Sequence, residues 1–441
     1  MLDANLPAAP KNQPKVLNAW ASFDWANSVY NLVITTTIFP IFFNQASRAA
    51  YGSDVVSFFG FSVENTVLYS YALSVAYLFI TLLSPFLSGI ADYGGKKKFF
   101  MQFFTYLGAF SCMILFFFKG SNVELAIISA ALASIGYAGG MVFYNAFLPE
   151  IATEDRYDSV SARGFAMGYI GSVILQIVNI LMVEKPEWFG IEDAAMGARY
   201  SFLTVGVWWL VFSQIAFFYL RDTRHTLESL GSVAKRGIEE LKEVGRLILK
   251  MPRLLRFLIA FSFYNMGVQT VMFMASLFGE KELQLPTSEL IGIILVIQLV
   301  AAIGAFVFSK ISARFGNLSA LLIMVVMWIG ICVAAYFVRK GTYDFHILAI
   351  WVGLIMGGIQ SLSRSTFSKY LPEDTANTAS FFSFFNIAER FSTSLGMLAY
   401  GLIEQLTGNM RNSAIGLMLF FLVGLVALWS LRKVSREGSP Q

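Results

Sequence analysis

The chain has 441 residues, of which 56% are hydrophobic and only 14% charged, and its net charge is +4. Soluble domains carry about 25% charged residues, so this composition reads as an integral membrane protein rather than a soluble enzyme or binding domain. The basic residues are dispersed among apolar runs, which argues against nucleic-acid binding, and two histidines with two isolated cysteines do not make a metal site.

In chain order, Met1 to Val16 carries three prolines and no secretory pattern, and reads as a disordered tail. Apolar windows then predict twelve membrane helices, an all-α architecture. The first half places them at 17–44, 66–91, 98–118, 123–148, 162–184 and 199–220. The second half places them at 254–278, 288–312, 317–338, 344–370, 377–403 and 411–431. Cys112 and Cys332 fall inside apolar runs and read as small buried hydrophobes, not a disulfide. Of the 32 basic residues, 22 fall on the side that holds both termini and eight on the other, with Arg364 and Arg390 inside spans. The positive-inside rule makes the first side cytoplasmic.

Residues 221–253 form the longest and most charged connection. Ile238, Leu241, Val244, Ile248 and Met251 recur at helical spacing among charges, predicting an amphipathic linker helix on the cytoplasmic membrane surface. The expected organisation is therefore a 1–16 tail, a 17–220 bundle, the linker, a 254–431 bundle and a 432–441 tail. The two bundles echo one another. Leu148-Pro149-Glu150 recurs as Leu371-Pro372-Glu373, and Ser88 to Lys96 recurs weakly as Ser309 to Asn317. Phe23-x-Trp25-x-Asn27 recurs as Phe261-x-Phe263-x-Asn265. Two pseudo-symmetric six-helix bundles are the usual plan of a secondary transporter, which places a substrate site between them near the bilayer midplane.

The plan and the loop after the second span resemble the major facilitator superfamily (MFS). Ser88, Asp92, Gly95 and Lys96-Lys97-Lys98 match its loop signature, while Tyr93 stands where Arg is usual. The resemblance implies that Asp92 meets a helix N-terminus of the other half as part of a cytoplasmic gate, an arrangement that a positive helix end favours. More specifically, Phe23-Asp24-Trp25-Ala26-Asn27-Ser28, Tyr144-Asn145-Ala146-Phe147-Leu148-Pro149-Glu150, Ser161-Ala162-Arg163-Gly164-Phe165 and Gly267-Val268-Gln269-Thr270 are similar to the vacuole-effluxer-like branch. Its eukaryotic members are described as releasing amino acids from the vacuole. Relatives often carry Asp after the Asn of the seventh helix, and here that place is Met266.

The superfamily plan lines its cavity with helices 1, 4, 7 and 10. The candidate cavity residues are Asp24, Asn27, Tyr30, Asn31, Tyr137, Tyr144, Asn145, Tyr264, Asn265, Gln269, Gln360 and Arg364, with Asn386, Glu389 and Arg390 of helix eleven. Asp24, Asn27 and Asn31 are spaced to share one helix face. Intramembrane charges are costly, so they are expected to face the interior in pairs, though Asp24 could instead cap its helix, and each amide could instead join two helices. Asp92, Lys96, Glu150, Arg163 and Glu373 are the candidate gate residues.

These readings lead to a multi-pass bacterial inner-membrane transporter without cofactor or metal, a monomer in contact with membrane lipids. It would move a small polar metabolite, with amino acids first, by proton-coupled alternating access. No phosphate-cradling loop points to ATP. An amphiphile transporter is the alternative that 43 Phe, 18 Tyr and 8 Trp permit, and a non-transporting receptor or scaffold is the third.

Overall fold

The computed structural model describes residues 10–222, 230–372, 375–407 and 410–437. A helix stands at each of the twelve predicted spans. The first span is broken into α1 (Pro14–Tyr30), a π-helical turn (Asn31–Thr36) and α2 (Ile38–Tyr51). The rest of the first half comprises α3 (Asn65–Gly94), α4 (Lys97–Ile114), α5 (Val123–Ala146), the short α6 (Leu148–Ile151), α7 (Tyr157–Glu184) and α8 (Ala194–Tyr219). The linker helix is α9 (Leu230–Lys250). Then follow α10 (Pro252–Lys281), α11 (Thr287–Phe315), α12 (Asn317–Phe337), α13 (Asp344–Lys369), α14 (Thr378–Thr407) and α15 (Met410–Glu437). Among the described residues, eleven helices are long and apolar enough to cross a membrane. The helix at the remaining predicted span, α14, is 30 residues long and carries Glu389 and Arg390 near its centre.

The first span departs from a plain helix for a local reason. The widened turn leaves carbonyls that the hydroxyls of Thr36 and Thr37 bond, each reaching five residues back to Asn31 O and Leu32 O. The extra residue per turn rephases the helix. Asn31, at the start of the π-turn, is exposed, while Asp24 and Asn27 are buried. Both predicted tails are shorter than expected: α1 starts at Pro14, whose missing N–H suits a first helical position, and α15 continues to Glu437.

A feature the helical reading missed is an antiparallel hairpin, β1 (Val55–Phe58) and β2 (Phe61–Glu64). Its two turn residues, Phe59 and Gly60, have φ of 49° and 86°. Two consecutive positive φ angles suit the right-handed twist of a tight hairpin. Val56 of β1 points into the core of the first unit and is buried.

The chain forms two compact units, residues 1–147 with 167–241, and residues 148–166 with 242–441. The boundary differs from the expected one in two places: Leu148–Ala166 belongs to the second unit, and α9 divides after Leu241. The first unit has an aromatic core in which Phe39 meets Phe43, Tyr69 and Phe202, and Trp209 packs on Tyr30. In the second, Trp328 stacks on Phe421, and Phe385 gathers Phe261, Phe367 and Phe382. The linker helix is not simply laid on lipid: Leu241, Val244 and Ile248 are buried against protein.

Candidate functional site

The predicted cavity residues form two clusters, one in each unit. In the first unit, α1 and α5 pair through aromatic and polar contacts. The Tyr144 hydroxyl donates to Asp24 Oδ2 at 2.7 Å, and both side chains are buried. Trp20 stacks on the Tyr144 ring at 4.4 Å and its indole N–H donates to the Tyr144 carbonyl at 2.9 Å. One helical turn further along, Asn27 Nδ2 approaches Met141 Sδ at 3.1 Å. Tyr30 and Ser134 share a 2.7 Å hydrogen bond, with the Tyr137 ring 5.1 Å from that of Tyr30. Asn145 is buried beside Tyr144. The carboxyl of Asp24 thus sits in a membrane-spanning helix with a phenol as donor, which offsets part of the cost of burying it.

In the second unit, α10, α13 and α14 converge. The Tyr264 and Ser363 hydroxyls bond at 2.7 Å. Asn265 Nδ2 donates to Ser392 Oγ at 2.9 Å and to the Glu389 carbonyl at 3.2 Å, so this amide ties α10 to α14. Glu389 and Arg390 are half-buried, and Glu389 lies within electrostatic reach of Arg390 and Arg364. Asn386 donates to Phe382 O within its own helix, and Gln269 and Gln360 are half-buried.

Arg364 is placed differently from a substrate-facing charge. Only 2% exposed, it donates from Nε to Ser161 Oγ and from Nη2 to Ser161 O, both at 2.9 Å. Its guanidinium lies 4.3 Å from the Phe165 ring centroid, and Ser161 Oγ itself donates to Ser361 O at 2.8 Å. A planar fork suits this simultaneous bonding and stacking. The segment Leu148–Ala166 is therefore clasped by α13.

The predicted gate residues are also sorted by the structure. Asp92 is buried and pairs with Lys97 at 3.1 Å, whereas Lys96 is exposed. The lysine that meets Asp92 is the first residue of α4, where the side chain turns inward, one position beyond the gate candidate Lys96. Glu150 Oε1 accepts from Thr378 Oγ1 at 2.9 Å, at the first residue of α14, where a carboxylate meets the positive helix end. Arg163 is exposed, and Glu373 lies outside the described residues.

Sequence reasoning missed Asp158. In the first turn of α7, it accepts from Ser312 Oγ at 2.8 Å, Asn317 Nδ2 at 2.8 Å and Lys369 Nζ at 2.9 Å. Lys369 Nζ also donates to Asn317 Oδ1 at 2.7 Å. A signal was present: the repeat aligns Asp92 with Ala313, so the second loop has no acid of its own. Asp158 supplies one there. Nearby, burial pushes the Tyr370 phenol up to about 12, with the Arg253 charge pulling the other way, so it stays a neutral group. A cavity within the second unit is lined by apolar groups, among them Val271, Phe278, Ile331, Phe345, Val352 and Leu417, and takes in none of the predicted residues.

Comparison with known proteins follows the same lines. Residues 12–437 match the family described as "Vacuole effluxer Atg22 like". The uncharacterized MFS-type transporter YxiO of Bacillus subtilis (strain 168) is 33% identical over 420 residues, covering 95% of each chain. Autophagy-related protein 22 of Kluyveromyces lactis is 28% identical over 399 residues, covering 82% of this chain and 78% of that one. The crystal structure of the human organic anion transporter MFSD10 (TETRAN) superposes with a TM-score of 0.70 at 13% identity, covering 95% of this chain and all of the other.

Proposed function

This chain belongs to the vacuole effluxer Atg22-like family of MFS transporters, and from that premise we propose proton-coupled, alternating-access movement of a small polar metabolite, an amino acid first. The observation that carries the coupling is the Asp24 carboxyl, buried in a membrane-spanning helix and hydrogen-bonded by Tyr144. A charge at such a place costs about 2.5–3.5 kcal/mol on insertion scales, so a group kept there is suited to taking up and releasing a proton. Glu389 is the second proton-exchanging candidate.

An amino acid carries both an ammonium and a carboxylate. Within the second unit Glu389 would receive the first and Arg390 the second, with Asn265 and Gln269 completing the polar lining. Arg364 is assigned to gating, because two of its nitrogens are engaged on Ser161. The gate in this reading comprises Asp92, Lys97, Glu150, Asp158, Lys369 and Arg163, with Glu373 in the matching repeat position. In this reading the protein works as a lipid-embedded monomer of a bacterial inner membrane, with termini and gate on the cytoplasmic side.

The test is flux of radiolabelled amino acids into proteoliposomes under an imposed pH gradient. Gradient-driven accumulation is expected with the wild type, and is lost in Asp24→Asn or Glu389→Gln while counterflow persists. Accumulation that survives both changes together ends the coupling proposal. Absence of any amino-acid flux, alongside thermal stabilisation by another metabolite class, ends the substrate proposal.

A further inference from the structure

Tyr93 stands where the resembling loop signature has arginine, yet an arginine reaches the site from elsewhere in the first unit. Arg236 of α9 lies over the Tyr93 ring, 5.6 Å from its centroid, and Arg236 Nη1 donates to the Tyr93 hydroxyl. The helices come this close because both are bare at the crossing. A Cβ at Gly89 would stand 2.1 Å from Gly237 O, and a Cβ at Gly237 would stand 2.6 Å from Ile90 N. A second tie comes from the start of the linker, where Asp222 Oδ1 accepts from the Lys98 backbone N–H at 2.9 Å. Between these ties lies the Asp92–Lys97 pair, whose side chains are 0% and 6% exposed.

We propose that Arg236 is a positioning residue for the α3–α4 loop, bringing a cation from the linker helix to the Tyr93 position and holding the buried Asp92–Lys97 pair in register. The Gly89–Gly237 crossing sets the distance, the Tyr93 ring receives the guanidinium, and Asp222 fixes the far end of the loop. The linker and the loop then move as one body. This rests on the gate reading of the loop, but its test needs no substrate and no transport, so the two can fail separately.

The experiment is hydrogen–deuterium exchange with mass spectrometry on the full chain in lipid nanodiscs, followed over residues 91–98. Arg236→Gln is expected to speed exchange there by about two- to fivefold, the factor that an exposed cation–π contact is worth. Acylation of Lys97 by an amine-reactive reagent rises with it. Arg236→Lys keeps the cation and retains protection. Tyr93→Arg loses protection by like-charge repulsion, and adding Arg236→Glu restores it. Unchanged exchange in Arg236→Gln overturns the proposal. So does an equal rise in Arg236→Gln and Arg236→Lys spread along α9, or a Tyr93→Arg protein that Arg236→Glu fails to rescue.

Discussion

Lys369 Nζ lies 2.9 Å from Asp158 Oδ2, joining the last turn of α13 to the first turn of α7 within the second unit. The lysine side chain is 20% exposed and the aspartate 9%, which puts the pair between a surface ion pair and a fully buried one. Removing one partner of a buried pair costs about 3–5 kcal/mol and a surface pair is worth under 1, so Lys369→Met is expected to cost about 1–3 kcal/mol. Asp158→Asn loses the charge and keeps one acceptor oxygen, although Ser312 and Asn317 donate to different carboxylate oxygens, so it is expected to cost a comparable amount. Thermal unfolding in detergent checks both, and the double variant should lose less than the sum, as groups in one network do.

Arg364→Lys tests the clasp on Ser161. Lysine keeps the charge but cannot bond Ser161 Oγ and O together while stacking on Phe165. Charge-assisted hydrogen bonds are worth about 1.5–3 kcal/mol each, so the variant should unfold at clearly lower temperature despite being isoelectric. An unchanged unfolding midpoint would show that the clasp contributes little.

Tyr144→Phe removes a donor to Asp24 and leaves the ring stack with Trp20 in place. Losing one partner of a buried polar group costs about 1–3 kcal/mol. Stability should fall by that amount, and adding Asp24→Asn should recover part of it, since a neutral amide tolerates burial better than a carboxylate. Chemical unfolding of the two single variants and the double reads this directly.

Gly357→Ala probes the crossing of α11 and α13. A Cβ at Gly357 would stand 1.9 Å from Ala301 O, and one at Gly304 would stand 1.9 Å from Leu354 O, backbone that cannot step aside. Overpacking of this kind costs about 1–3 kcal/mol, occasionally more. Gly330→Ala on α12, with nothing within 4 Å, is the matched control and should lose no stability.

The helices were legible in the sequence to within a few residues, even for α14 with its two central charges. Of the site, the sequence singled out Asp24, Tyr144, Asn265 and Glu389 one by one, because polar groups stand out against an apolar background, without saying which would meet. It named Lys96 rather than Lys97 among the gate residues, and passed over Asp158, the role of Ser161, and the hairpin. Each miss depends on helix phase or on a distant partner. Lys97 turns inward where α4 starts, and Asp158 has meaning only beside Lys369 and Asn317, more than 150 residues further on.

What the sequence by itself determined is the membrane-spanning helical plan and its internal repeat, since a bilayer demands about 20 apolar residues per crossing and writes that demand into local composition. What only the tertiary structure decided is which polar group meets which: Arg364 with Ser161, Asp158 with Lys369, Arg236 with Tyr93. Those pairings depend on angular phase and on how closely glycines let two backbones approach, and neither is recorded in the spacing of residues along one chain.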